Sequence, residues 1–194
     1  DTLSRRKYGI AGLPTVVLFD ERGQQVDRTM GFLAAAEFTE TIENYRKGVG
    51  TLVSLLAEEP SKTNDGEFLY RLATRLYAHN RTDESDARFA AVVLVDPDNK
   101  TGSADDALLD RASISRKHKD WAGAGGYCRD LLKRWPDSDL ADDALVSIGF
   151  FATNGGMTKE ARSAYGEYLA RWPEGEDAEY VREEMKKTED EKAN

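Results

Sequence analysis

The sequence is short of the residues that staple, ligate or react. It holds a single cysteine, Cys128, so no internal disulfide can form and no thiol pair can cycle within these residues. Cys128 falls on what reads as a helix packing face, where a free cysteine behaves as a small buried hydrophobe. There are two histidines, His79 and His118. Neither has a second His or Cys at ligand spacing, so the sequence calls for no metal, and both read as solvent-facing or helix-terminal. Gly123-Ala124-Gly125-Gly126 lacks the Gly-Lys-Ser/Thr ending and the preceding strand of a phosphate loop, which leaves a loosely packed helix start and no nucleotide cofactor. No apolar run approaches the length of a membrane span. Basic residues are outnumbered, 27 against 36, for a net charge of −9, which argues against a nucleic-acid partner. That charge is unevenly spread. Residues 1–50 hold seven basic and seven acidic side chains, so the whole excess of acid lies beyond them.

What is present begins with Gly12-Leu13-Pro14-Thr15 and the run Val16-Val17-Leu18-Phe19-Asp20. The run is β-branched and aromatic, bounded by proline before and Glu21-Arg22-Gly23 after, and reads as a buried strand. Proline has no amide donor and suits the start of a strand rather than its middle. A second strand follows from about Gln25 to Met30, with Gly23 in the turn of a hairpin. After Gly31-Phe32 comes a helix from about Ala34 to Lys47, opened by three alanines, with Phe38, Ile42 and Tyr45 on one face. Gly48-Val49-Gly50 ends it. A short apolar helix (Leu52, Leu55, Leu56) and a polar linker from Glu59 to Gly66 come next.

Beyond the linker no strand pattern remains, and the chain repeats. Asp96-Pro97-Asp98, Trp135-Pro136-Asp137-Ser138 and Trp172-Pro173-Glu174-Gly175 recur 39 and 37 residues apart, a period that points to stacked helix pairs. Aligned on the prolines, position −12 holds Ser85, Ala124 and Ala161, position −8 holds Phe89, Cys128 and Tyr165, and position −5 holds Val92, Leu131 and Tyr168. The leading helices align as Leu69, Leu72, Ala73 and Leu76, then Leu108, Arg111, Ala112 and Ser115, then Leu145, Ile148, Gly149 and Ala152. The small residue in each set lets two antiparallel helices approach, and the large ones fill the space between pairs. The acid pairs Asp105-Asp106 and Asp142-Asp143 stand where helices begin, as the helix dipole favours.

Two resemblances follow from these residues. Tyr8-Gly9-Ile10, Gly12-Leu13-Pro14-Thr15, the strand to Asp20, Gly23, and Gly31-Phe32-Leu33 with Phe38 resemble the C-terminal half of a thioredoxin fold, most closely the C-terminal domain of the thiol:disulfide interchange protein DsbD. That resemblance implies a cis bond before Pro14, and a peptide groove lined by Leu13 and Pro14 with Gly31 nearby. It also implies a periplasmic or cell-envelope setting, with cytoplasm as the alternative. The family's Cys-x-x-Cys lies upstream of this stretch, and no cysteine precedes Pro14 here. The expectation is a piece of a longer thiol-disulfide exchange protein, redox-inactive in these residues.

The repeats resemble the tetratricopeptide (TPR) repeat in a form closed by an aromatic-Pro. They depart from it at Arg111 and Ser115 and exceed its usual length of about 34 residues. This implies a peptide- or protein-binding concave face, on which the matching positions are Tyr70, Thr74 and Tyr77, then Leu109, Ser113 and Arg116, then Val146, Phe150 and Thr153. Tyr and Arg are favoured interface anchors, although the same aromatics could serve only to pack neighbouring repeats. The expected fold is thus mainly α. A partial thioredoxin-like β-hairpin plus helix occupies residues 1–48, a linker and short helix 49–65, about three TPR-like repeats 66–187, and a charged, frayed tail 188–194. The alternative function is a non-enzymatic TPR scaffold whose hairpin is a docking element. In either case half a sheet leaves a bare strand edge, so residues 1–48 are expected to pack on the repeats, to self-associate, or to exchange between chains.

Overall fold

A computed structural model describes residues 7–10 and 12–190, with backbone alone at 189 and 190. Residues 1–6 and 11, within the expected thioredoxin-like segment 1–48, lie outside it. The chain divides into two compact units, residues 1–96 and 97–194.

In the first unit, β1 (Thr15–Phe19) and β2 (Gln25–Met30) form an antiparallel hairpin. The Asp20 carboxylate organises its turn by accepting the amides of Arg22 and Gln24 at 2.9 and 2.8 Å. Register runs from Thr15 opposite Met30 to Phe19 opposite Gln25, with an irregularity between Leu18 and Phe19. The Leu13–Pro14 peptide bond is cis. The hairpin is followed by α1 (Ala35–Arg46), α2 (Leu52–Glu58), a 3₁₀ turn (Glu59–Ser61) and the antiparallel pair α3 (Gly66–Ala78) and α4 (Thr82–Val95). Thr51 and Asp65 cap α2 and α3 by accepting the amides of Ser54 and Phe68. That amide also holds the Asp65 carboxyl below its ordinary range.

The strand β1 is not the buried strand its composition implies. Val16 and Phe19 are 40% and 41% exposed, because no third strand flanks the sheet among the described residues and the Tyr8 ring, 5.7 Å from that of Phe19, gives only partial cover. The helix α1 is also only partly seated. Tyr45 is buried but Phe38 is exposed, and a cleft of about 630 Å3 lined by Leu18, Phe19, Val26, Ile42 and Arg46 separates α1 from the hairpin.

Polar groups fasten the hairpin to the helices. The most buried residue of β2 is Asp27, with no exposed surface. Its carboxylate accepts the Arg28 amide at 2.6 Å, the Leu52 amide at the start of α2 at 2.5 Å, and meets His79 Nε2 at 2.7 Å. His79 is therefore helix-terminal as expected, closing α3, but it faces Asp27 and not solvent. Arg28 donates to the carbonyls of Tyr8 and Gly9 and to Gln25 Oε1, and Arg75 on α3 donates to the Arg28 carbonyl at 2.7 Å. Arg88 on α4 forms a two-pronged ion pair with Glu59.

The second unit is all helix: α5 (Ser103–Lys117), α6 (Trp121–Arg134), α7 (Ala141–Asn154), α8 (Thr158–Arg171) and α9 (Ala178–Asp190). Each helix packs on the next in sequence. Across both units every aligned residue at −12, −8 and −5 is buried, none more than 2% exposed. The small leading-helix positions work as expected. Ser85 Oγ donates to the Ala73 carbonyl at 2.8 Å, and a Cβ on Gly149 would stand 2.1 Å from Tyr165 Cε1. The departure at Arg111 is taken up by Tyr127, whose ring centroid lies 4.4 Å from the guanidinium. Gly123–Gly126 lie inside α6, whose first turn Asp120 caps through the Gly123 amide.

The repeat prolines have a role that periodicity did not reveal, since each carbonyl is an acceptor for a residue downstream. Trp135 Nε1 donates to the Pro97 carbonyl at 3.2 Å, Arg171 to that of Pro136 at 2.9 Å, and Arg182 to that of Pro173. The C-terminal residues differ from expectation as well. Instead of fraying after Lys187, α9 continues to Asp190, and Thr188 is buried with its hydroxyl on the Met185 carbonyl; residues 191–194 lie outside the described residues.

Removing the Asp27 carboxylate leaves two amides and an imidazole without their shared buried acceptor. Asp27→Ala is expected to destabilise the chain by about 3 kcal/mol, read as a lowered urea midpoint. A midpoint unchanged from the parent would remove Asp27 as the fastening of the hairpin.

Candidate functional site

The first helix of each pair supplied the expected binding residues, and the structure gathers part of that set. In the second unit Ser113 and Arg116 of α5, Val146 and Phe150 of α7, and Tyr180 of α9 line one cleft of about 250 Å3, with Ser147 and Phe151 completing it. Phe150 and Phe151 stack edge to face, centroids 5.7 Å apart. Phe151 is buried and Phe150 half-buried, so one ring anchors and the other is presented. Arg116, in the last turn of α5, is exposed and forms no ion pair among the described residues. The cleft thus offers an aromatic wall, two hydroxyls from Ser113 and Ser147, a phenol and one free cation.

Other expected residues stand elsewhere. In the first unit, Tyr70 and Thr74 line a separate cleft with residues of α1 and α2. The Tyr70 ring also lies 5.5 Å from that of Phe89, so it packs the helix pair as well as facing the cleft. Tyr77 and Leu109 are half-buried and line neither cleft. Thr153 turns its hydroxyl back to the Gly149 carbonyl at 2.9 Å. Tyr180 is the residue that periodicity missed. It belongs to the closing helix, whose packing positions are Ala178 and Val181, and nothing in the repeat alignment reaches that far.

The hairpin residues singled out by resemblance do adjoin. The Gly31 amide donates to the Pro14 carbonyl at 2.9 Å, Leu13 is 66% exposed, and Phe32 beside them is 88% exposed. Thr15 Oγ1 ties the turn to the Gly12 carbonyl at 2.6 Å.

The acid pairs prove to be framework. Asp105 is buried and accepts the Ser138 hydroxyl at 2.6 Å, which itself accepts the Leu140 amide. Burial, then Asp105 and Asp139, push the Asp106 carboxyl up. Asp143 is shifted the same way by burial and its acidic neighbours. No cluster of His, Cys, Asp and Glu able to hold a metal occurs among the described residues, and none of the described helices is long and apolar enough to cross a membrane.

Comparison with known proteins matches residues 106–138 to the tetratricopeptide repeat family. The match begins in the first turn of α5 and runs through α6 to Ser138. No curated protein matches the chain.

Cys128 is fully buried on α6, and burial pushes its thiol up to about 12. A thiol that keeps its proton more tightly when folded lends its full share of stability below the ordinary value of 9.0. That share is lost as pH climbs from there towards 12. At pH 8 the native chain is expected to react with a thiol reagent at least about a hundredfold more slowly than the urea-unfolded chain. Equal rates would mean that Cys128 is accessible.

Proposed function

We propose that the chain is a protein-interaction module of the tetratricopeptide type that takes an extended peptide segment on the face of its first helices. The observation that carries this is the convergence of Arg116, Phe150 and Tyr180, from three different helices, on one cleft. The buried anchor ring, the exposed cation and the flanking hydroxyls match the residue types that carry binding energy at interfaces. A phage-displayed peptide library selected on the full chain tests it. Phe150→Ala and Arg116→Glu are each expected to weaken the selected peptides by about tenfold, with circular dichroism unchanged. Selected peptides indifferent to both substitutions would overturn the reading.

A second reading concerns the hairpin. We infer a thioredoxin-like lineage for residues 1–48, so that Leu13, Pro14 and Gly31 are the remnant of a substrate groove. The parent would then be a thiol-disulfide exchange protein of the periplasm or cell envelope. The order hairpin then helix and the contact between Gly31 and Pro14 support it. With one cysteine, fully buried, these residues contribute binding and no redox chemistry. The exposed Leu13, Val16, Phe19 and Phe32 also suit association of two hairpins, edge to edge. Sedimentation velocity should show mass rising with concentration, and Leu13→Ser with Phe32→Ser should suppress the rise. A parent chain that stays monomeric up to its solubility limit would remove the association.

A further inference from the structure

The cleft of the first unit has a chemistry that neither reading uses. It occupies about 360 Å3 between α1, α2 and α3, inside the range of about 300–1,000 Å3 typical of ligand pockets. Its apolar wall comes from Val49, Leu55 and the Tyr45 and Tyr70 side chains. Its charge comes from Arg71 and Arg75, one turn apart on α3. No Asp or Glu lines it, although the chain has 36 acidic residues against 27 basic.

Among the described residues Arg71 and Arg75 form no ion pair. Arg71 is exposed, lies 5.9 Å from the Phe68 ring, and is close enough to Asp65 to help hold that carboxyl below its ordinary range. Arg75 gives one donor to the Arg28 carbonyl and lies 4.7 Å from the Tyr45 ring centroid. Its Nε is buried without a partner, and so is the Tyr45 hydroxyl. Buried donors with no acceptor are uncommon in folded proteins and call for an explanation. A partly desolvated guanidinium without a counter-ion is costly. One part-buried and one exposed guanidinium beside an apolar wall complement one kind of ligand.

We propose that this cleft is a binding site for a carboxylate carried on an apolar stem, with Arg71 and Arg75 holding the carboxylate and Tyr45, Val49, Leu55 and Tyr70 covering the stem. The planar fork of a guanidinium matches a carboxylate in geometry as well as charge. A free aryl or alkyl acid and the C-terminal residue of a peptide share this chemistry. The site does not depend on the peptide cleft of residues 113–180.

The test is calorimetric titration of the full chain with N-acetylphenylalanine and with its amide. The acid is expected to bind saturably and the amide at least about tenfold more weakly, as loss of a charge-assisted hydrogen bond requires. Arg71→Gln should weaken the acid by about tenfold, whereas Arg22→Gln, which removes the same charge from the hairpin turn, and Phe150→Ala should leave it unchanged. A pentapeptide ending in phenylalanine that binds more tightly than the free acid assigns the carboxylate to a protein terminus. One that binds no better assigns it to a small acid. No binding by either acid, equal binding of acid and amide, equal effects of Arg71→Gln and Arg22→Gln, or a loss on Phe150→Ala would each overturn the proposal.

Discussion

The repeat pairs depend on how closely their two helices can approach, and the small residue of each leading helix sets that distance. Gly149 leaves room for the Tyr165 ring where a methyl group would collide, and Ala73 brings its carbonyl within reach of Ser85 Oγ. The residue at −8, large in Phe89 and Tyr165 and small in Cys128, then fills what remains, and each is buried. Interiors are packed closely enough that a single methyl group is felt. The reciprocity of small and large therefore fixes the crossing of the helices, and from the crossing follows which side chains of α5 and α7 meet over the cleft that Tyr180 closes.

The hairpin obeys a different constraint. Its apolar strand is half uncovered, so hydrophobic burial does little to hold it. What holds it is Asp27, a buried carboxylate that gathers donors from β2, α2 and the end of α3, reinforced by Arg75 on the Arg28 carbonyl. Directional polar contacts of this kind specify one docking geometry more sharply than apolar contact does, and leaving any one unpaired is costly. The same arrangement carries Arg75 to the edge of the cleft in the first unit.

Much of this was legible in the sequence, for identifiable reasons. The repeats were readable because their packing residues recur at fixed distance from proline, and all nine aligned positions are buried. The hairpin was readable from Pro14, Gly23 and the apolar run between them. The polar fastening was not, because Asp27, Leu52 and His79 are far apart in sequence and Asp27 lies in a strand where alternation alone does not mark it as buried. The exposure of Val16 and Phe19 was equally hidden, since composition reports what a strand prefers and not what lies beside it. Of the expected binding residues, Arg116 and Phe150 line one cleft within one unit although they are offset by about a turn in the repeat register, Phe150 matching Ser113 and Arg116 matching Thr153. Tyr180 joins them from a helix that does not continue the repeat, so no periodic signal could include it.

The distribution of charge gives the surface a direction. The hairpin segment bears as many positive as negative side chains, while all of the surplus acid lies after residue 50. Most of the large apolar side chains that remain in contact with water belong to that same neutral segment. Beyond about 8 Å, screening at physiological salt erases most of the repulsion between exposed charges. Within that distance, two copies meeting through their acidic helices repel one another, whereas an approach through the hairpins meets no such barrier. The acid surplus of residues 51–194 therefore sets a repulsive field around those helices, to which residues 1–50, with seven charges of each sign, add no net charge.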